Sequence, residues 1–86
     1  MPDIFKIYEK ACASSNNLSF LELCNLVEGA GFVFDRQKGT SHKIYKHPLI
    51  RDRIDAMVNI QDVHGKAKSW QVKVVLDLIE KYGLIK

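Results

Sequence analysis

Apolar positions at helical spacing open the chain. Ile4, Phe5, Ile7, Tyr8, Ala11 and Cys12 recur with a period near 3.6, so residues 4–12 are expected to form an amphipathic helix capped by Asp3. The run Ser14, Ser15, Asn16, Asn17 ends it with turn and cap residues. A second helix starts at once. Ser19 and Glu22 have the spacing of a capping box, and Leu18 and Leu23 that of a hydrophobic staple. Phe20, Leu23, Cys24 and Val27 line its apolar face, and Gly29 and Gly31 bracket its stop. The period then drops to two. Residues 32–37 read as a strand with Phe32 and Phe34 on one face, Lys38, Gly39 and Thr40 as a turn, and residues 41–47 as the return strand. Pro48 cannot donate to a sheet ladder and ends that strand. Residues 49–55 are a charged connection, either loop or a short helical turn. Residues 56–60 read as a short third strand and 61–68 as a loop with a glycine and two lysines. From Ser69, read as an N-cap, the helical period returns. Val72, Val75, Leu76, Ile79 and Tyr82 make a stripe, with Gly83 and Leu84 as its C-terminal cap.

The order is helix, helix, three strands, helix. Three antiparallel strands have one face to bury, and the two longer helices can cover it. This predicts a two-layer α+β domain whose other sheet face stays open to a ligand. The αβββα core over residues 18–86 has the order of a double-stranded-RNA-binding domain, and residues 1–17 read as an added helical extension. Such an order says little of function by itself.

Composition narrows the picture without deciding it. A chain of 86 residues makes one domain. With 47% hydrophobic and 27% charged residues it is a folding chain and not a disordered one. The formal net charge of +3 favours a polyanionic partner. Cys12 and Cys24 have no metal or redox spacing and fall at apolar helical positions, so both are expected as buried, inert thiols. No apolar run approaches a membrane span and the N-terminus lacks a signal-peptide core, so a soluble, cytoplasmic protein is expected.

A set of short motifs carries more. Gly31-Phe32, Arg36-Gln37-Lys38-Gly39-Thr40-Ser41-His42, Tyr45, His47-Pro48, Asn59-Ile60-Gln61, Gly65-Lys66-Ala67-Lys68, Gln71-Val72-Lys73 and Tyr82-Gly83-Leu84 stand in one order and carry a resemblance that covers about residues 19–84. Together they resemble the HicA-type toxins of toxin–antitoxin systems. The resemblance implies a small ribonuclease of double-stranded-RNA-binding fold that cleaves mRNA in the cytoplasm and arrests translation. It also implies a cognate HicB-type antitoxin that binds and blocks the toxin. The family histidine follows a Gly-Ser pair at the start of the second strand, a position matched by His42. Thr40 departs from the pattern by separating Gly39 from Ser41. Ser69-Trp70 stands where many relatives have Pro-Tyr. Residues 1–17 extend beyond the minimal family core.

The residue types suit such chemistry. RNA can cleave itself through its 2′-hydroxyl if a base takes that proton, the 5′-oxygen regains one, and positive charge surrounds the phosphorane. Histidine, with an ordinary pKa of about 6.5, serves the proton transfers, and lysine and arginine serve the charge. DNA lacks the 2′-hydroxyl and is excluded. His42 is therefore the catalytic candidate. Arg36, Lys38, Gly39, Ser41, Lys43, Lys46, His64, Lys66 and Lys68 are the candidate RNA-binding residues. Lys46 shares a strand face with His42 and Lys43 lies on the other. Ser41 either holds a phosphate oxygen or is only a turn hydroxyl. His47, about 17 Å along the strand, reads as structural or peripheral. His64 becomes a second acid–base group only if its loop folds over the hairpin. Residues 65–68 precede a helix N-terminus, where free N–H groups and lysines favour anions, or else form a solvated loop. Trp70 either stacks a base or, as the favoured reading, anchors the last helix on the sheet. No metal site or cofactor is arguable from ligand spacing. A non-catalytic RNA-binding module and a plain protein-interaction domain accept the same fold.

Overall fold

The computed structural model describes residues 3–85 of the chain; the first two residues of the 1–17 extension and residue 86 lie outside them. Helix α1 spans Ile4–Ala13, with the Asp3 carboxylate accepting from the Phe5 and Lys6 backbone N–H groups. A 3₁₀ turn at Ser15–Asn17 leads to α2, Phe20–Gly29. The capping box forms as the sequence predicts. Ser19 Oγ accepts from Glu22 N at 3.0 Å, and Glu22 Oε1 accepts from Ser19 N at 3.0 Å. Lys10 of α1 donates to the same carboxylate at 2.9 and 3.0 Å, tying the two helices together. A Schellman motif ends α2: Gly31 N donates to Glu28 O and Phe32 N to Val27 O, each at 3.0 Å, with Gly31 at φ +99.

The sheet follows. Strand β1 is Val33–Lys38, β2 is His42–Lys46, β3 is Met57–Val63 and β4 is Lys66–Ala67, all antiparallel in the order β1-β2-β3-β4. Several expectations shift. Phe32 precedes β1 and is buried, whereas Phe34, at the uncovered edge, is half exposed against Tyr45. The β1–β2 turn is Gly39–Ser41, and Lys38 closes β1 opposite His42. His47 falls outside β2. Residues 47–56 form an irregular connection with turns at 48–49 and 53–56 and a bend at 52, the Asp52 carboxylate accepting from Ile54 N and Asp55 N. The expected loop over 61–68 is instead the end of β3, a two-residue turn and β4. His64 and Gly65 both have positive φ, +54 and +83, the mirror-image turn that matches strand twist. Gly65 O then accepts from Phe20 N and Leu18 O from Ala67 N, so the lead-in to α2 covers the edge of β4.

Helix α3 spans Ser69–Tyr82 and ends at Gly83, with Leu84 N bonded to Ile79 O. Its N-cap is Lys68, not Ser69, and no side chain caps it. The three helices lie on one side of the sheet. Leu18, Leu23, Leu26, Val27, Tyr45, Val58, Ile60, Val72, Val75 and Ile79 form the core, which Ile7 and Ala11 of α1 join. The architecture is α+β, with a double-stranded-RNA-binding-domain-like αβββα arrangement plus the short β4 and the N-terminal helix. Inside the core the Tyr45 hydroxyl donates to Glu28 Oε2 at 2.9 Å, and burial together with that acceptor pushes the phenol's pKa upward. Cys24 is buried and burial raises its pKa, but Cys12 is exposed, contrary to expectation. It lies beside the Ile4–Ile7–Ala11 stripe that α1 turns inward. No helix is long and apolar enough to cross a membrane among the described residues.

Candidate active-site face

Alternation along β2 sorts its side chains. Lys43 and Tyr45 face the helices, where Lys43 Nζ sits 5.6 Å above the Phe20 ring. His42, Ile44 and Lys46 therefore face the side away from the helices, where Ile44 is nonetheless buried. The register adds neighbours directly opposite: Lys38 and Gln61 flank His42, and Arg36 and Asn59 flank Ile44. A bulge between Phe34 and Arg36 brings Arg36 to this face and leaves Asp35 as the extra residue. The Asp35 carboxylate pairs with Arg36 at 2.5 Å and with Lys46 at 3.7 Å, so these two cations are partly balanced.

His42 is half-buried at the first position of β2. Its Nδ1 lies 3.1 Å from Asn59 Oδ1, the diagonal neighbour on β3. The Asn59 carbonyl oxygen accepts from Nδ1–H, which leaves the neutral ring's lone pair on Nε2. The turn before it is held from both sides. Gln37 Nε2 donates to the Gly39 and Thr40 carbonyls at 3.3 and 3.4 Å, and Ser41 O accepts from Asp62 N at 2.8 Å.

The other predicted residues separate. Arg36, Lys38 and Lys46 share the His42 face, and Gly39 and Ser41 form the adjoining turn. Lys43 is on the opposite face. His64 is exposed at the β3–β4 tip, three residues beyond Gln61 and thus about 10 Å further along the strand. Its segment is a tight turn and does not fold back over the β1–β2 hairpin. Lys66 is two strands from His42 and lines a polar groove of about 260 Å³ with Asn16, Asn17, Ser19 and Glu22. Lys68 caps α3. His47 is structural: its ring is 6% exposed, bonded to Ala30 O and Leu49 N at 3.1 Å each, and edge-on to Phe32. Trp70 is 60% exposed and does not anchor α3, which Gln71, Val72, Val75, Leu78 and Ile79 do.

Two residues of the motif set carry roles that the sequence does not assign. Asn59 orients His42, and Gln71, only 5% exposed, accepts from the Gln61 backbone N–H at 2.8 Å and fixes α3 to the edge of β3. The alternation of Met57, Asn59, Gln61 and Val63 was a signal for the first. The described residues hold no cluster of three or more His, Cys, Asp or Glu suited to a metal ion.

A small α+β domain with one sheet face buried and one basic, histidine-bearing face open is the class that the geometry defines. A family model described as the HicA toxin of bacterial toxin–antitoxin matches residues 21–81, and the chain belongs to that family. Membership makes it the toxin component of a toxin–antitoxin pair and implies a cognate antitoxin partner. No curated protein and no solved structure matches the chain.

Proposed function

We propose that this toxin is a metal-independent endoribonuclease that cleaves mRNA in the cytoplasm, arrests translation, and is blocked by a HicB-type antitoxin. The ribonuclease unit is residues 18–86, with residues 1–17 as an added extension. The observation that carries this reading is the His42–Asn59 hydrogen bond on the open basic face, which engages Nδ1 and leaves Nε2 as the ring's basic nitrogen. In the proposed reaction Nε2 takes the proton of a ribose 2′-hydroxyl. The 2′-oxygen bonds to phosphorus, the bond to the 5′-oxygen breaks, and that oxygen takes a proton from solvent, to which the His42 imidazolium later releases the proton it accepted. The products are a 2′,3′-cyclic phosphate and a 5′-hydroxyl. Lys38, directly opposite His42, stabilises the phosphorane charge, and Arg36 and Lys46 extend the grip on the backbone. Gly39 and Ser41 offer the turn's polar groups to a phosphate, and Lys43, His64, Lys66 and Lys68 contribute more distant charge or contacts.

The test pairs cleavage with binding. Purified toxin free of partner, with EDTA present, is incubated with a structured cellular RNA beside His42→Ala. Cleavage by the wild type, falling at least about a hundredfold in the variant while binding persists, supports the reading. Binding with no cleavage by either protein refutes it and leaves a non-catalytic RNA-binding module.

A further inference from the structure

Trp70 is the only tryptophan of the chain and lies on the first turn of α3. Its ring contributes little to the core, yet it is not an isolated surface residue. With Val74 it forms one wall of a groove of about 160 Å³, whose other wall is Met57, Val58, Asn59 and Ile60 of β3. Asn59 borders this groove and is also the hydrogen-bond partner of His42, so the groove lies next to the candidate active site. The Gln71–Gln61 bond holds the first turn of α3 at a fixed height over the sheet edge. None of the lining residues is acidic, and Lys68 and Lys73 stand two residues before and three after Trp70.

A flat apolar wall, a polar amide at one end and cations nearby suit a nucleobase attached to a phosphate. A base inside a duplex has both faces covered by its neighbours and cannot enter. We propose that Trp70 stacks a base adjacent to the scissile phosphate, and that the toxin's substrate is RNA unpaired at the cut. The proposal rests on the ribonuclease reading for its scissile phosphate, but its test is of binding alone.

All tryptophan emission comes from Trp70, so stacking is read directly. The probe is a short mixed-sequence oligoribonucleotide, single-stranded or annealed to its complement, titrated into full-length His42→Ala so that cleavage does not consume it. The single strand is expected to quench the emission and the duplex to leave it unchanged. Trp70→Ala in the same background is expected to bind the single strand roughly five- to a hundredfold more weakly, with an unchanged urea midpoint, and Trp70→Phe to retain most of the affinity. Binding without quenching, equal quenching by the duplex, or full affinity in Trp70→Ala would each overturn the proposal. So would loss of antitoxin affinity in Trp70→Ala with RNA affinity intact, which would assign the groove to the protein partner. Failure of the ribonuclease reading appears separately, as absence of cleavage by the wild type.

Discussion

Replacing Gly31 by alanine tests how the structural histidine is held. Gly31 has φ +99, a conformation that costs an L-residue roughly 1–2 kcal/mol. A Cβ there would also lie 2.8 Å from His47 Nε2. The ring has no free direction of retreat, because Nε2 is bonded to Ala30 O, Nδ1 to Leu49 N, and Phe32 meets it edge-on. Breaking either bond leaves a buried polar group unsatisfied, at about 1–3 kcal/mol. The sum is about 2–5 kcal/mol, a large share of the roughly 4–13 kcal/mol expected for a domain of this length. Urea unfolding followed by circular dichroism would read it as a lowered midpoint at unchanged slope. The two contributions separate in a double-mutant cycle with His47→Ala. There the clash is gone and Gly31→Ala should cost only the backbone share, leaving a coupling of about 1–3 kcal/mol. Equal costs in both backgrounds, or a single-variant cost below about 1 kcal/mol, would refute the argument.

Other outcomes follow from the same geometry. Asn59→Ala should lower the cleavage rate about ten- to a hundredfold by freeing the His42 ring, while the urea midpoint stays unchanged. Ser19→Ala should cost about 1 kcal/mol of stability through loss of the capping box, measured by thermal unfolding. Lys38→Ala should reduce the salt slope of single-stranded RNA binding by about 0.7, the share of one phosphate contact, in a titration of affinity against salt. Acid should destabilise the fold through two carboxyls. The Ser19 backbone N–H and then Lys10 hold the Glu22 pKa down, and Lys81 and then Tyr82 hold that of Asp55 down. A lowered folded value gives stability that is complete above the unfolded value of about 4 and is lost as pH falls through the folded one. The urea midpoint should therefore hold from neutrality towards pH 5 and fall below it, and the fall should be smaller in Glu22→Gln with Asp55→Asn.

Helix ends were the most legible part of this chain because their signals are local. Asp3, Ser19 with Glu22, Gly31 and Gly83 each act within a few residues. Burial was read less well where a helix face had to be assigned. Trp70 and Cys12 are apolar and lie near stripes, but the inward stripes run through Gln71, Val72, Val75, Leu78 and Ile79, and through Ile7 and Ala11. One residue is 100° of helix turn, enough to move a side chain from core to water. The segment 61–68 looked like a loop because glycine and lysines are loop residues, yet alternation carries β3 to Val63 and His64-Gly65 is a two-residue hairpin turn. His42 and its lysine neighbour were legible through a short hairpin, whose turn sets the register. Asn59 was not. It meets His42 across a β2–β3 connection of ten residues, 47–56, and no tight turn fixes the register of such a pair.

The two histidines of the Ser41–His47 segment show how parity divides labour in this sheet. They are five positions apart, an odd separation, so extended backbone sends them to opposite faces. His42 meets water, Asn59 and the open basic face, whereas His47 is sealed between Ala30, Phe32 and Leu49. Thr40, within the Gly39–Ser41 turn, does not disturb this division, because it lies ahead of His42 in the turn that the Lys38–His42 pair closes and leaves the separation at five. A residue inserted after Ile44 would. It would make the separation even, and either His42 would turn towards Phe20 and the helices or His47 would leave the Ala30 carbonyl for solvent. The first outcome removes the proposed base while the core stays closed. The second opens the core at the Gly31 contact. Cleavage and the urea midpoint measured on that one variant distinguish them, and retention of both would show that a new bulge had absorbed the residue and that parity does not govern the site.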